Sequence, residues 1–248
     1  MVVKAFRLIE VLAGDDGGQG LAKLAQGANL TKPTAHRILN VLSNIGYVDR
    51  VAPNVYRLGH RLLRIVLGRE NERLISAAKP VVSRLHELTG ETVNFGVVQH
   101  GWVVYLVVAE STQPLRRVAT PNESHPFYCT AMGRAIVASY SQDERDHLLA
   151  TAKLERRTPC TVIRIDELRR ILDKTKVIGI AVEEGETDIG VTCIAAPVYD
   201  NGKTVAALSV SVPTARLDAS GRQELYSIVR DAAARLTDIL GRKDRIIA

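Results

Sequence analysis

Aromatic side chains make up only 4% of this 248-residue chain, and no apolar run approaches the roughly 20 residues that a membrane-spanning helix needs. The core must therefore be aliphatic, and helical membrane spans are excluded. Three cysteines, Cys129, Cys160 and Cys193, are an odd number, lie far apart and form no CxxC pair, which argues against both a disulfide framework and a zinc ribbon. Reduced thiols are expected. The opening stretch "MVVKAFRLIEVLAG" lacks the long apolar segment and small-residue cleavage site of a signal peptide, so it reads as a first helix, and the expected compartment is the cytoplasm.

Signatures of catalysis are just as scarce, with no glycine-rich phosphate loop, no HExxH and no nucleophile elbow. The remaining enzymatic reading pairs Cys193 with His100, His125 or His147 as base, but "GVTCIAAP" puts no cation near the thiol in sequence to lower its pKa. A metal site built from His125, Cys129 and Cys193 matches no standard ligand spacing. No catalytic residue, metal or cofactor is expected.

What is present suits two modest domains, since 46% of the residues are hydrophobic and the length can enclose two cores. Charge is unevenly divided. Residues 1–70 hold ten Lys and Arg against five Asp and Glu, whereas residues 71–248 hold 23 against 22. The local excess favours a polyanionic partner for the first quarter of the chain.

Within that quarter the pattern predicts a helix from about Val3 to Leu12 and a loop at "DDGGQG". A second helix follows, its Leu21, Leu24, Ala25 and Ala28 on one face, and stops near Gly27 to Asn29. A third lies in "LTKPTAHRILNVLSNIGYVDR", where Thr31 suits the N-cap, Pro33 the first turn, and Ala35, Ile38, Leu39 and Leu42 the inward stripe. At about 100° per residue, Pro33, Arg37, Asn40 and Asn44 lie opposite that stripe, with His36 at its edge. Two short helices joined by a tight turn, the second basic at its N-terminal end, form the pattern of a helix-turn-helix.

The chemistry of the outer face fits DNA. Arg37 can fork onto guanine edges and Asn40 onto adenine, while threonines and a helix N-terminus suit phosphates. Beyond the helix, "YVDRVAPNVYRLG" contains two β-rich runs around an Ala52-Pro53-Asn54 turn, flanked by Arg50 and Arg57, and reads as a wing. The DNA-binding set is therefore Thr31, Lys32, Pro33, Thr34, His36, Arg37, Asn40, Arg50 and Arg57. Simple solvation of a surface helix is the alternative for these charges.

Next, "GHRLLRIVLGRENERLISAAKP" sets Leu62, Leu63, Val66 and Leu67 in an apolar strip among charges. This predicts a helical linker over about residues 60–75, burying its strip against a partner copy or against its own domain. Residues 76–248 read as one α+β domain. A helix from about Ile75 to Thr89-Gly90, with Pro80 in its first turns, precedes a hairpin of "TVNFGVVQ" and "WVVYLVVAE" around Gly101. Helices near 130–139, 142–150 and 166–176, strands at "IGIAVEE", "GVTCIAAPVY" and "TVAALSVSV", and a helix from about Ala219 to Leu240 complete an antiparallel sheet with helices on its faces. Asn201-Gly202 marks a tight hairpin turn. Ser209 and Ser211 are two apart on one strand and so share a face, with Cys193 on the hairpin partner. Small polar groups on an apolar sheet can orient a ligand in a pocket, or simply bond neighbouring backbone.

The stretch "LAKLAQGANLTKPTAHRILNVLSNIGYVDR", followed by "VYRLG", resembles the DNA-binding domain of IclR-type bacterial transcriptional regulators. "HPFYCTAMGRAIVAS" and "GVTCIAAPVYDNGKTVAALSVSVP" resemble the two most characteristic stretches of that family's effector-binding domain. The resemblance covers essentially the whole chain. It implies an N-terminal winged helix-turn-helix over 1–59, a helical linker over 60–75 and a GAF-like α/β effector-binding domain over 76–248. Homodimers or dimers of dimers on a pseudo-palindromic double-stranded DNA operator are implied too. It further implies an effector pocket containing Cys193, Ser209 and Ser211, with Glu183 at its polar end and the backbone amides of Ala131 and Met132 at a helix start. Unpaired N–H groups at such a start suit a carboxylate, so the implied effector is a small organic acid.

Overall fold

Apolar residues recurring at three- and four-residue intervals fold the N-terminal segment into three helices around a small core. Helix α1 spans Val2–Ala13, α2 Leu21–Gly27 and α3 Lys32–Asn44. Leu8 and Leu12 of α1 meet Leu24 and Ala25 of α2 and the whole stripe Ala35, Ile38, Leu39 and Leu42 of α3. Asn29, at a φ of 53°, makes the sharp turn between α2 and α3. Strands β1 (Gln19–Gly20), β2 (Val48–Ala52) and β3 (Val55–Leu58) form an antiparallel sheet in the order β1-β3-β2, and the β2–β3 hairpin is the wing. Two residues carry no alternation to read, so β1 escapes sequence analysis; its pairing with Val55 and Tyr56 creates it.

The structure, a computed structural model, describes residues 1–13, 18–59, 61, 71–121 and 123–243. The predicted apolar strip Leu62, Leu63, Val66 and Leu67 lies outside the described residues. The chain divides into two units, residues 1–70 and 71–248. Among the described residues no helix is long and apolar enough to cross a membrane.

The second unit begins with α4 (Glu72–Thr89), β4 (Thr92–Gln99), β5 (Trp102–Ala109) and β6 (Ser124–Pro126). Three helices follow, α5 (Ala131–Val137), α6 (Gln142–Thr151) and α7 (Ile165–Ile178). The described residues continue with β7 (Ala181–Glu184), β8 (Val191–Asp200), β9 (Lys203–Pro213) and α8 (Ala219–Lys243). The strands form one antiparallel sheet in the order β6-β5-β4-β9-β8-β7. Asn201 and Gly202, at φ 48° and 76°, close the β8–β9 hairpin as the sequence predicts.

Both faces of this sheet are buried. Helix α5 covers the face carrying Val103, Tyr105, Ala195 and Ala207. The alternate residues Ile194, Ala196, Val198, Leu208 and Val210 are equally inaccessible, beneath α4 and α8, which pack on each other and on the sheet. One expectation fails here: Pro80 lies well inside α4 rather than in its first turns, because the helix starts at Glu72. Burial of Ala77, Ala78, Val81, Val82 and Leu85 along one face outweighs the hydrogen bond that Pro80 cannot donate.

Candidate functional site

On the first unit, Thr31 is the N-cap of α3, but its Oγ1 bonds Thr34 Oγ1 at 2.9 Å rather than a backbone amide. Thr31, Lys32, Pro33, Arg37 and Asn40 are exposed, with Thr34 and His36 half-buried beside them. Asn40 Nδ2 lies 3.4 Å from His36 Nδ1, one helical turn away. In the wing, Arg50 is exposed, whereas Arg57 is half-buried and faces its cross-strand neighbour Asp49 at 3.7 Å. The structure thus places Thr31, Lys32, Pro33, Arg37 and Asn40 on the accessible side of α3, with Thr34 and His36 beside them, and leaves the two wing arginines unequal.

On the second unit, strand register brings the predicted pocket residues together. Glu183 lies opposite Cys193, Cys193 opposite Ser211, and Ser209 opposite Asn94. Cross-strand partners project on the same side of a sheet, so the row Glu183–Cys193–Ser211 and the adjacent pair Ser209–Asn94 form one polar patch on the α5-covered face. Cys193 Sγ lies 3.2 Å from Ser211 Oγ, which also accepts from Asn94 Nδ2 at 3.3 Å. Above the row sits the start of α5. Thr130 Oγ1 accepts from the Gly133 amide at 3.1 Å and its carbonyl from the Arg134 amide at 3.0 Å, while the first-turn amides of Ala131 and Met132 have no acceptor within the helix. A Cβ on Gly133 would lie 2.5 Å from Phe127 backbone, so glycine is required for this close approach. Glu183, Cys193, Ser209, Ser211, Ala131 and Met132, with Tyr105, Arg117, Thr130 and Thr187, line a tight cavity with about 10 Å³ of free space.

The family model described as "Bacterial transcriptional regulator IclR C-terminal" matches residues 69–238, and that of the IclR helix-turn-helix domain matches residues 1–52. The chain belongs to the IclR family. It is 29% identical to the HTH-type transcriptional regulator KdgR of Escherichia coli over 98% of this chain and 93% of that protein. It is 32% identical to the DNA-binding transcriptional repressor YiaJ of the same organism, over 96% and 86% of the two chains. Among solved structures, an IclR homolog from Microbacterium hydrocarbonoxydans, complexed with 4-hydroxybenzoate, superposes with a TM-score of 0.66 at 25% identity, covering 96% of this chain and 98% of that one. This IclR-family regulator thus has a DNA-binding domain and an effector domain, and its relatives are named as transcriptional regulators and repressors.

In the IclR-family cavity, electrostatics follow from burial. Glu183 is 2% exposed, and desolvation pushes its carboxyl up to about 7 despite hydrogen bonds from Cys193 and from the Glu186 amide at 2.9 Å. The Cys193 thiol is pushed well above its ordinary value, by desolvation first and the Glu183 charge second. It therefore stays a protonated hydrogen-bonding group rather than a nucleophilic thiolate. Cys129, raised to about 11 by burial, donates to the Pro126 carbonyl at 3.5 Å. His125 engages Arg117 and Glu123, and His100 and His147 are exposed. Among the described residues no three His, Cys, Asp or Glu side chains are grouped so as to hold a metal.

Sequence reasoning missed Arg117. Its guanidinium is buried over Tyr105, with Cζ 5.6 Å from the ring centroid. Nε donates to Asp188 Oδ2 at 3.1 Å and Nη2 to Glu123 Oε1 at 3.0 Å, with His125 Nε2 3.1 Å from Nη2. Burial alone would raise Glu123, but hydrogen bonds from His125 and the Thr120 amide, with the Arg117 charge, hold it at about 2. In "LRRVA" nothing separates Arg117 from Arg116, which turns away to Glu110 at 2.6 Å. An irregular segment has no periodicity from which to read the inward side.

Proposed function

We propose that this regulator senses a small organic acid in the cavity of its C-terminal domain and adjusts operator binding in response, as a cytoplasmic homo-oligomer without catalytic activity. The observation that carries the reading is the polar patch Glu183, Cys193, Ser211 and Ser209 facing the first-turn amides of Ala131 and Met132 inside an apolar fold. Those amides and the two serine hydroxyls are donors for a carboxylate, and Glu183 in its protonated form adds another. The 4-hydroxybenzoate complex of the Microbacterium homologue supports the same ligand class.

On the DNA side, Arg37 and Asn40 read base edges, with His36 at the margin, while Thr31, Lys32, Pro33 and Thr34 approach phosphates. Arg50 and Arg57 contact the backbone from the wing. A single winged domain covers about one half-site, so a two-fold assembly through residues 60–75 matches a pseudo-palindromic operator. Residues 1–59 thus bind DNA and residues 76–248 bind the effector, with coupling through the linker. Coupling requires that the acid contact the two DNA-binding states differently.

The test is calorimetric titration of the full chain with a panel of short organic acids, alongside operator binding by wild type and by the Ser209→Ala/Ser211→Ala variant. Each serine hydrogen bond to a carboxylate is worth about 1.5–3 kcal/mol. The double variant should lose effector affinity and effector response while keeping operator binding. Wild-type affinity together with wild-type response in that variant would move the site elsewhere.

A further inference from the structure

Helix α8 carries more apolar surface than the sheet covers. Leu225, Val229, Ala233, Leu236 and Leu240 recur at helical spacing and are buried where α8 packs on β8 and β9. A second stripe, Ile228, Ala232 and Ile239, lies about 100° round the helix and is only half-buried. It borders a groove between α8 and α4 with about 470 Å³ of free space, floored by the buried Val81 and Leu85. On the α4 rim Pro80 is exposed and Leu88 is 57% exposed. Single exposed hydrophobes are ordinary, but a contiguous apolar groove along two packed helices marks a contact surface.

We propose that this groove is a homotypic interface, filled by α8 of a second copy of the chain in an antiparallel crossing. Charge says what covers it. Asp231 and Arg235 stand exposed on the groove, one turn apart, and their side chains have no hydrogen-bond or ion-pair partner among the described residues. On the α4 side Arg84 and Glu87 pair with each other at 3.2 Å. These four charges cancel, so the groove does not select a polyanion. It is self-complementary instead. Asp231 and Arg235 lie two residues either side of Ala233, so a two-fold axis level with Ala233 sets Asp231 opposite Arg235 of the partner subunit, twice. Ala232 allows the close approach, and Ile228 meets Ile239 of the partner subunit. Helices of 18 and 25 residues are roughly 27 and 37 Å long and about 10 Å wide, so the face offers on the order of 600 Å² a side, near the lower bound for a specific interface. The groove lies outside residues 60–75, so this contact adds a two-fold to the linker assembly proposed above without depending on it.

The experiment is sedimentation velocity on the full chain, with wild type, Asp231→Arg, Arg235→Asp and an equal mixture of the two variants. Both side chains are exposed, so neither substitution disturbs the core. Each variant alone puts like charges at both contacts, and its dissociation constant for this step should rise about tenfold or more, halving the wild-type mass at micromolar concentration. In the mixture two arginines of one variant face two aspartates of the other, and the wild-type mass should return. Misfolding cannot produce such mutual rescue. The mass left in either variant alone, two chains or one, reports the linker assembly separately. Equal masses for wild type and both variants would overturn the interface. If wild type then also bound Nile red and Leu88→Asp did not, the groove would belong to a small apolar ligand. Reduced mass in both variants without recovery in the mixture would overturn the antiparallel crossing.

Discussion

Arg134 and Glu186 form a two-pronged ion pair, Nη1 to Oε1 at 2.6 Å and Nη2 to Oε2 at 2.7 Å, with both side chains almost wholly removed from water. Arg134 Nε also donates to the Tyr128 carbonyl at 2.9 Å, and Glu186 Oε2 accepts from the Val162 amide at 3.0 Å. Because the Glu186 amide in turn holds Glu183, this pair fixes one wall of the cavity. Arg134→Leu should destabilise the protein by about 3–5 kcal/mol, since it strands a buried carboxylate. Arg134→Leu/Glu186→Leu should recover part of the loss. Urea denaturation checks both, and a single variant as stable as wild type would mean that Glu186 escapes to solvent.

Glu183 makes stability depend on pH. Its carboxyl, raised from an ordinary 4.5 to about 7 by burial, holds a proton in the folded chain that the unfolded chain releases. The stabilisation is fully present below pH 4.5 and is lost as pH rises through about 7. The total is on the order of 3 kcal/mol. Glu183→Gln should flatten the denaturation profile across this window. It should also flatten the loss of carboxylate affinity expected above neutrality, where ionised Glu183 repels the ligand; a variant profile as steep as wild type assigns the dependence to another group.

Arg37→Ala should weaken specific operator binding by about 1–3 kcal/mol and leave random DNA nearly unaffected, as loss of a base-edge contact does. Fluorescence anisotropy with operator and scrambled duplexes separates the two. Equal losses on both would place Arg37 on phosphate.

Arg50→Ala should weaken both duplexes alike and reduce the salt slope. Arg57→Ala should do the same to a smaller extent, because Asp49 at 3.7 Å already offsets its charge. A larger slope change for Arg57 than for Arg50 would reverse this order.

Light scattering should find at least a dimer at micromolar concentration, since two half-sites call for two recognition helices. A monomer that binds a palindromic site tightly would remove the linker-mediated assembly.

Periodicity along the chain was enough to determine the longer helices and strands, though not the short β1 and β6, and the inward stripe of α3, because Ala35, Ile38, Leu39 and Leu42 recur at helical spacing whatever surrounds them. Asn201-Gly202 likewise specified its own hairpin through local backbone preference. The patch Cys193, Ser209 and Ser211 was visible as small polar residues of suitable parity, but its junction with Glu183 and Asn94 depended on strand order, which no local pattern encodes. The depth of Pro80 in α4 was likewise set by packing along the helix rather than by proline's own preference. Arg116 and Arg117 show the boundary most plainly. They are chemically identical neighbours in an irregular segment, and only the fold, by bringing Asp188 and Glu123 to one of them, turned Arg117 into the cavity and left Arg116 at the surface with Glu110. Side-chain burial is a property of the neighbours that long-range contacts assemble, and those contacts exist only once the sheet has formed.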